Sequence, residues 1–208
     1  IFILADDLGY TDTACSGSRY YETPHIDRLA AQGMKMTQFH ACQNCQPTRA
    51  ALMSGQYGTR TGVYTVGGID RFDWWKRPLR PVDNVTALPL DRITVAESLR
   101  QAGYATAMFG KWHLGDSGAH HPARRGFDEA IVTMGRHFDF TTSPKTDAPK
   151  GQYLADFLTD RAVDFIRRKK DGPFFLYLPH FGVHAPHEAK PELVAHFRDK
   201  AAAGGHRN

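Results

Sequence analysis

Short apolar runs alternate along this chain with segments that carry helix start and stop signals. Each run is short and bounded by polar or turn-forming residues, which predicts buried strands over residues 1–5, 34–41, 104–109 and 174–178. Strands that alternate with helices are typical of an α/β fold, in which helices cover both faces of a mainly parallel central sheet. The alternation therefore restricts the chain to a small set of layered architectures.

Four segments predict the helices of this fold. They begin at Thr23-Pro24, Pro47, Thr94 and Tyr153, and they end at Gly33, Gly55, Gly103 and Lys170. Proline at the first helical position and glycine just past the last helical residue are common signals for the start and end of a helix. The stretches 65–93 and 115–152 are rich in proline, glycine and charge, so they are predicted to be long surface insertions.

Composition excludes several classes of protein. With 41% hydrophobic and 23% charged residues, the 208-residue chain is not expected to be disordered. A net charge of +4 without a long basic run does not indicate nucleic-acid binding. No apolar stretch approaches the ~20 residues that span a bilayer, so no membrane span is expected. The three cysteines cannot close a disulfide framework.

Polar residues that could take part in catalysis or metal binding follow several of the predicted strands or begin a helix. They are Asp6-Asp7, Cys45, Lys111 to His113, and His184. The carboxyl ends of strands form the ligand crevice of an open α/β sheet, so we expect these distant residues to converge there.

The segment from Cys45 to Arg49 carries the strongest local signal. A cysteine just before a helix lies near free backbone N–H groups and the positive end of the helix dipole, which attract an anion. Arg49 can present a guanidinium to the same place. Cys42 and Cys45 also form a C-x-x-C pair, which by itself indicates a redox pair or half of a zinc site.

Taken together, these motifs resemble the sulfatase family. The pattern Cys45-x-Pro-x-Arg49, followed by Ala-Ala-Leu and a glycine, is similar to the sulfatase signature. The opening residues 2–10 resemble the family's first strand and metal-binding aspartate pair, residues 110–115 the second signature, and residues 184–187 the region of the third histidine. The resemblance implies an alkaline-phosphatase-like fold, with residues 1–208 as the N-terminal part of a single catalytic domain.

The resemblance also implies how the nucleophile and the metal are arranged. Sulfatases oxidise this cysteine to formylglycine, so Cys45 would become the nucleophile, and Arg49 would steady it. Asp6, Asp7 and position 45 would belong to a divalent-cation site, with calcium expected and magnesium or another divalent cation as the alternative. Carboxylate oxygens are the ligands that Ca²⁺ prefers.

Three further residues receive catalytic roles from the resemblance. Lys111 would contact sulfate, His113 would accept a proton as sulfate is expelled, and His184 would protonate or hydrogen-bond the leaving oxygen. Other polar and aromatic residues of the insertions are equally well explained by surface packing and are left out of the site; they are His120, His121, Arg124, Arg125, Arg136, His137 and Trp74-Trp75.

The chain departs from the family pattern in two respects. The residue before Arg49 is usually serine or alanine in the family, whereas here it is Thr48. A second metal-binding pair and another active-site lysine, which the family supplies further along the chain, have no match before Asn208. We therefore expect the chain to be a fragment holding part of the metal site, with any signal peptide preceding Ile1.

The resemblance implies a sulfated small molecule or glycan as substrate, a formylglycine-generating enzyme as partner, and a periplasmic or extracellular location. Three alternatives remain open on sequence. The chain could belong to a hydrolase of phosphate or phosphonate esters in the same superfamily, or to an inactive truncated relative. A C-x-x-C oxidoreductase is the third and is the least favoured.

Overall fold

The structure, a computed structural model, describes residues 1–71, 73–115 and 118–200. Within these ranges four parallel strands form one sheet in the order β1-β4-β2-β3. The strands are β1 (Phe2–Leu4), β2 (Ala105–Gly110), β3 (Glu129–Val132) and β4 (Phe174–Pro179). The α-helices are α1 (Pro24–Gln32), α2 (Cys45–Ser54), α3 (Gly58–Thr61), α4 (Val95–Gln101), α5 (Leu154–Lys169) and α6 (Pro191–Asp199).

Hydrophobic cores on both faces of the sheet confirm the predicted architecture. Alternate residues of β2 and β4 point to opposite faces, as the pleat of a strand requires. On one face Met108 and Tyr177, which are paired in register, pack in a core with Ala50 and Met53 of α2. The opposite face packs against α5 through a second core that includes Phe109.

The amphipathic pattern of α5 explains its position. Its buried side chains recur at three- and four-residue spacing, so they form one stripe: Leu154, Phe157, Leu158, Ala162 and Phe165. Burying one large apolar side chain contributes roughly 1.5–3 kcal/mol. This stripe therefore holds α5 firmly against β2 and β4.

The strand predicted over residues 34–41 is wrong. These residues pair with no strand of the described sheet, and Met34, Met36 and Phe39 are exposed. Periodicity records how side chains alternate, but a strand also needs a neighbouring backbone to bond with.

The helix predicted to begin at Pro47 begins two residues earlier, at Cys45. Asn44 takes the extended conformation of an N-cap, and Pro47 lies in the first turn. The backbone N–H groups of a first turn have no intrahelical partner, so a proline there costs no hydrogen bond.

The prediction of a surface insertion over residues 115–152 is wrong in part. Residues 129–132 form strand β3 beside β2, and Phe127, Val132 and His137 are buried. Helices α3 and α6 were not predicted. Residues 72, 116 and 117, which fall within the two predicted insertions, lie outside the described residues. Within the described ranges, no helix is both long enough and apolar enough to cross a bilayer.

Candidate active site

Asp6 lies at the centre of a buried cluster of charges. It follows β1 and is only 3% exposed. Its Oδ1 accepts a hydrogen bond from Arg49 Nη2 at 3.2 Å, and its Oδ2 accepts one from Lys111 Nζ. Arg49 comes from α2 and Lys111 from the end of β2. The sheet therefore brings three of the predicted site residues into direct contact.

Arg49 is fixed in a single orientation. Its guanidinium is 1% exposed, and Nη1 donates to the backbone oxygen of Lys111 at 2.6 Å and to the hydroxyl of Tyr177 at 3.4 Å. Its Nε is buried without a hydrogen-bond partner among the described residues. One buried carboxylate thus faces two buried cations, which leaves the cluster with excess positive charge.

Cys45 lies beside this cluster, as the first residue of α2. A cavity of about 310 Å³ is lined by Asp6, Asp7, Cys45 and Arg49, together with flanking residues of the two loops. The positive end of the α2 dipole adds to the positive charge of Arg49 at this wall. The cavity therefore joins a nucleophilic side chain to a setting that attracts an anion.

The loop before α2 brings the second cysteine of the C-x-x-C pair to the same cavity. Thr48 Oγ1 donates to the backbone oxygens of Asn44 at 2.7 Å and of Cys42 at 3.2 Å. Cys42 lines the cavity with Cys45, and both are free thiols in the structure. The hydroxyl of Thr48 thus ties down the turn that presents Cys45.

His113 lies close to the two cations and is held neutral. Burial is the main cause that lowers its pKa, from 6.5 to about 4, and the charges of Lys111 and Arg49 lower it further. Its Nδ1 is buried without a hydrogen-bond partner among the described residues. Because the pKa lies well below 7, the ring is uncharged at neutral pH and is free to accept a proton.

His184 contacts Asp7, which lines the cavity that contains Cys45. Its Nδ1 is 2.6 Å from the backbone oxygen of Ala185. A carbonyl oxygen only accepts hydrogen bonds, so Nδ1 carries the hydrogen. The other nitrogen, Nε2, is 3.6 Å from Asp7 Oδ2. Nε2 is therefore the atom that can exchange a proton on this side of the site.

The structure supplies only part of a metal site. The carboxylates of Asp6 and Asp7 are hard oxygen donors that suit a divalent cation. Among the described residues, however, no group of three or more histidine, cysteine, aspartate or glutamate side chains lies together in a way that could hold an ion. Both oxygens of Asp6 are also engaged by Arg49 and Lys111. Asp6 and Asp7 therefore suit a divalent cation in donor type but do not form a complete donor set.

Two residues that sequence reasoning missed support the site. Tyr177 contacts Arg49 through its hydroxyl, and His137 contacts the backbone of His184. Tyr177 looked like an ordinary apolar residue of a strand, and His137 fell in a predicted surface insertion. Neither carried a sequence signal, because both contacts depend on long-range packing.

Comparison with known proteins gives one consistent result. The family model described as Sulfatase matches residues 1–208. A sulfatase of Formosa agariphila is 33% identical, over 96% of this chain and 47% of that protein. N-acetylgalactosamine-6-sulfatase of Sus scrofa is 35% identical, over 89% of this chain and 40% of that protein.

A solved structure gives the same result. The crystal structure of Ps i-CgsB in complex with k-i-k-neocarrahexaose has a TM-score of 0.80 and 32% identity to this chain. The match covers 96% of this chain and 48% of that one. The chain thus spans somewhat less than half the length of these relatives, between 40% and 48%.

Proposed function

The chain belongs to the sulfatase family, and from this premise we propose that the full-length protein hydrolyses sulfate esters with a formylglycine derived from Cys45 as its nucleophile. The observation that carries the proposal is the charge balance beside Cys45, where Asp6 is the carboxylate that offsets both Arg49 and Lys111. Buried excess positive charge next to a nucleophile suits a tetrahedral anion such as sulfate.

Arg49 and Lys111 bind and orient the sulfate group. The guanidinium of Arg49 is fixed by three partners, so it offers a rigid donor, while Lys111 acts as a point charge. Formylglycine, as its hydrate with one hydroxyl ionised and that proton released to solvent, would supply the oxygen nucleophile for sulfur. Asp6 and Asp7 would hold a divalent cation, which would supply further positive charge to the sulfate oxygens. We expect calcium, because Ca²⁺ favours carboxylate oxygens.

Two histidines move the protons. His184, protonated at both nitrogens, donates from Nε2 to the leaving alcohol oxygen as the sulfur–oxygen bond to that alcohol breaks. His113, which is neutral because its pKa is lowered to about 4, accepts the proton of the second hydroxyl at position 45. Loss of that proton lets sulfate leave and regenerates the aldehyde.

Sulfated sugars are the proposed substrate class. Support comes from the relatives, one of which is named for a sulfated sugar while another was solved with a neocarrahexaose. Simple aryl sulfates would serve as surrogates. A formylglycine-generating enzyme is the required partner, and a periplasmic or extracellular location follows from where sulfatases meet such substrates.

The mass of the tryptic peptide 36–49 tests the nucleophile. The full-length protein is co-expressed with a formylglycine-generating enzyme, and the expected shift replaces the Cys45 thiol by an aldehyde. The Cys45→Ala variant should lose both the shift and the turnover of aryl sulfate. Cys15→Ala, which alters another free cysteine away from the cavity, should keep both.

An unmodified peptide, under conditions that convert a known sulfatase, would argue against the proposal. Matched aryl sulfate and aryl phosphate substrates then separate the nearest alternative, since the positive cavity also suits phosphate. A large preference for phosphate would reassign the protein to phosphate ester hydrolysis.

A further inference from the structure

We infer that His137 is a positioning residue that holds His184 in place for transfer of a proton to the leaving group, an inference that rests on the proposed function. His137 does not line the cavity that contains Cys45. It hydrogen-bonds to both end residues of the segment 184–188.

His137 fixes this segment at two points. It is 3% exposed, and its Nε2 is 2.8 Å from the backbone oxygen of His184. Because a carbonyl oxygen only accepts, Nε2 carries the hydrogen and donates it. The backbone N–H of His137 donates to Glu188 Oε2 at 2.9 Å. One buried residue thus anchors both ends of a five-residue loop.

The anchor is itself rigid. The backbone oxygen of His137 accepts a hydrogen bond of 2.7 Å from the N–H of Leu154, the first residue of α5. The imidazole ring packs 5.0 Å from the ring of Phe181 and 5.9 Å from that of Tyr153, measured between centroids. Since α5 is packed against the sheet, His137 links the loop 184–188 to the hydrophobic core.

His184 has few other restraints among the described residues. Its side chain is 34% exposed. The ring packs on Phe181 and hydrogen-bonds to the backbone oxygen of its neighbour Ala185. A proton donor must lie within hydrogen-bond reach of the oxygen that it protonates. A displacement of ~1 Å can cost ~100-fold in rate. Loss of the His137 bond would leave the backbone oxygen of His184 without this donor, although its N–H still bonds to Phe181, and would make the position of Nε2 less well defined.

The test compares His137→Leu with His137→Gln in the full-length, converted protein. Leucine fills the space without a donor, while the amide of glutamine places a donor near the position of Nε2. The substrates are phenyl sulfate and 4-nitrophenyl sulfate, because phenol is the poorer leaving group and needs the proton more. We expect His137→Leu to lower kcat on phenyl sulfate by roughly 10- to 100-fold and on 4-nitrophenyl sulfate only slightly. KM should change little, and His137→Gln should recover most of the loss.

Two controls separate positioning from general damage. His121→Leu alters a histidine of the same insertion whose ring bonds locally, to the N–H of Ala123, and it should leave both rates unchanged. The change His137→Leu should cost little more in a His184→Ala background, because both changes act on the same proton transfer. Equal losses on the two substrates, or fully additive losses, would overturn the inference.

Hydrogen exchange gives a readout that does not depend on turnover. The amide of His184 bonds to the oxygen of Phe181 at 3.0 Å and should exchange faster in His137→Leu, while α5 stays protected. Unchanged exchange at residues 181–188 would overturn the positioning role whatever the activity. A wild-type protein that turned over neither sulfate would instead overturn the proposed function. If His137→Leu fails to fold, His137→Asn, whose shorter amide cannot reach the carbonyl, replaces it.

Discussion

Asp6 is the residue on which the charge balance of the site depends. Its carboxylate is buried with Arg49 and Lys111, so its removal would leave two buried cations without this partner. Asp7, the next residue, is 59% exposed on its side-chain atoms and makes a long contact to His184. The two aspartates therefore differ sharply in what they do for the fold, although both face the same cavity.

We predict that Asp6→Asn destabilises the metal-free full-length protein by about 3–5 kcal/mol, the usual cost of removing one partner of a buried ion pair. The matched variant Asp7→Asn should change stability by no more than about 0.5 kcal/mol, as exposed substitutions do. Urea denaturation in the presence of a chelator measures both. Equal effects of the two variants would contradict the assigned charge balance.

His113 predicts a pH dependence of stability. Its pKa falls from 6.5 to about 4 on folding, chiefly through burial. The unfolded chain therefore binds a proton at a pH where the folded protein does not, and the stability from neutral His113 is present above 6.5 and lost as the pH falls toward about 4. His113→Asn should reduce the difference in melting temperature between about pH 7 and about pH 5. An unchanged difference would mean that the ring is not held neutral.

At the scale of elements, the approach of β2 to β4 depends on Gly110. Its φ of +134° lies in the region that favours glycine, and a Cβ there would overlap the backbone carbonyl of Pro179. Gly110 directly precedes Lys111, whose N–H bonds to that same carbonyl at 2.9 Å. The glycine thus permits the close contact that delivers Lys111 to Asp6.

We predict that Gly110→Ala destabilises the full-length protein by about 3 kcal/mol or more, since overpacking adds to the cost of a positive φ. Gly103→Ala is the matched control, because Gly103 has a φ of +84° but a Cβ added to it would meet no described atom within 4 Å. It should cost only about 1–2 kcal/mol. Thermal denaturation compares the stability of the two variants. Similar losses of stability would show that β4 moves to make room for the added methyl group.

Elements with local signals were predictable from the sequence. Both hydrogen bonds of the capping box are present: the Glu97 N–H donates to Thr94 Oγ1 at 3.1 Å, and the Thr94 N–H donates to Glu97 Oε2 at 2.6 Å. Helix α4 follows it as predicted. Strand β3 was missed because its four residues become a strand only through pairing with β2, which lies 22 positions earlier in register. The strand prediction for residues 34–41 was wrong for the converse reason: the pattern suits a strand, but these residues pair with no strand of the described sheet.

The site was predictable to a similar depth. The rule that ligands bind at the carboxyl ends of strands indicated that Asp6, Lys111 and His184 would meet. It did not indicate that Asp6 pairs with both Arg49 and Lys111, because that pairing depends on the register of β1, β4 and β2. The supporting contact of His137 could not be predicted from the sequence, because it joins residues of two loops that are 47 positions apart.

At the scale of the whole molecule, the site belongs to no single segment. The bond between Lys111 and Asp6 spans 105 positions, and that between Arg49 and Tyr177 spans 128. The site can form only when the sheet has assembled. Arg49 and Lys111 already offset the charge of Asp6. We therefore expect this region to fold without a bound cation.

We predict that the full-length protein stays folded in a chelator and gains stability when Ca²⁺ is added, by about 2.7 kcal/mol at 100 times the dissociation constant. Mg²⁺ should stabilise it less at equal concentration, because it demands a stricter geometry and loses water reluctantly. The gain should shrink in Asp7→Asn and persist in Asp83→Asn, whose carboxylate pairs with Arg80 outside the cavity. Melting curves with each ion give the comparison. An equal gain in both variants would place the metal ion elsewhere. Unfolding in the chelator alone would mean that the fold depends on a bound metal ion.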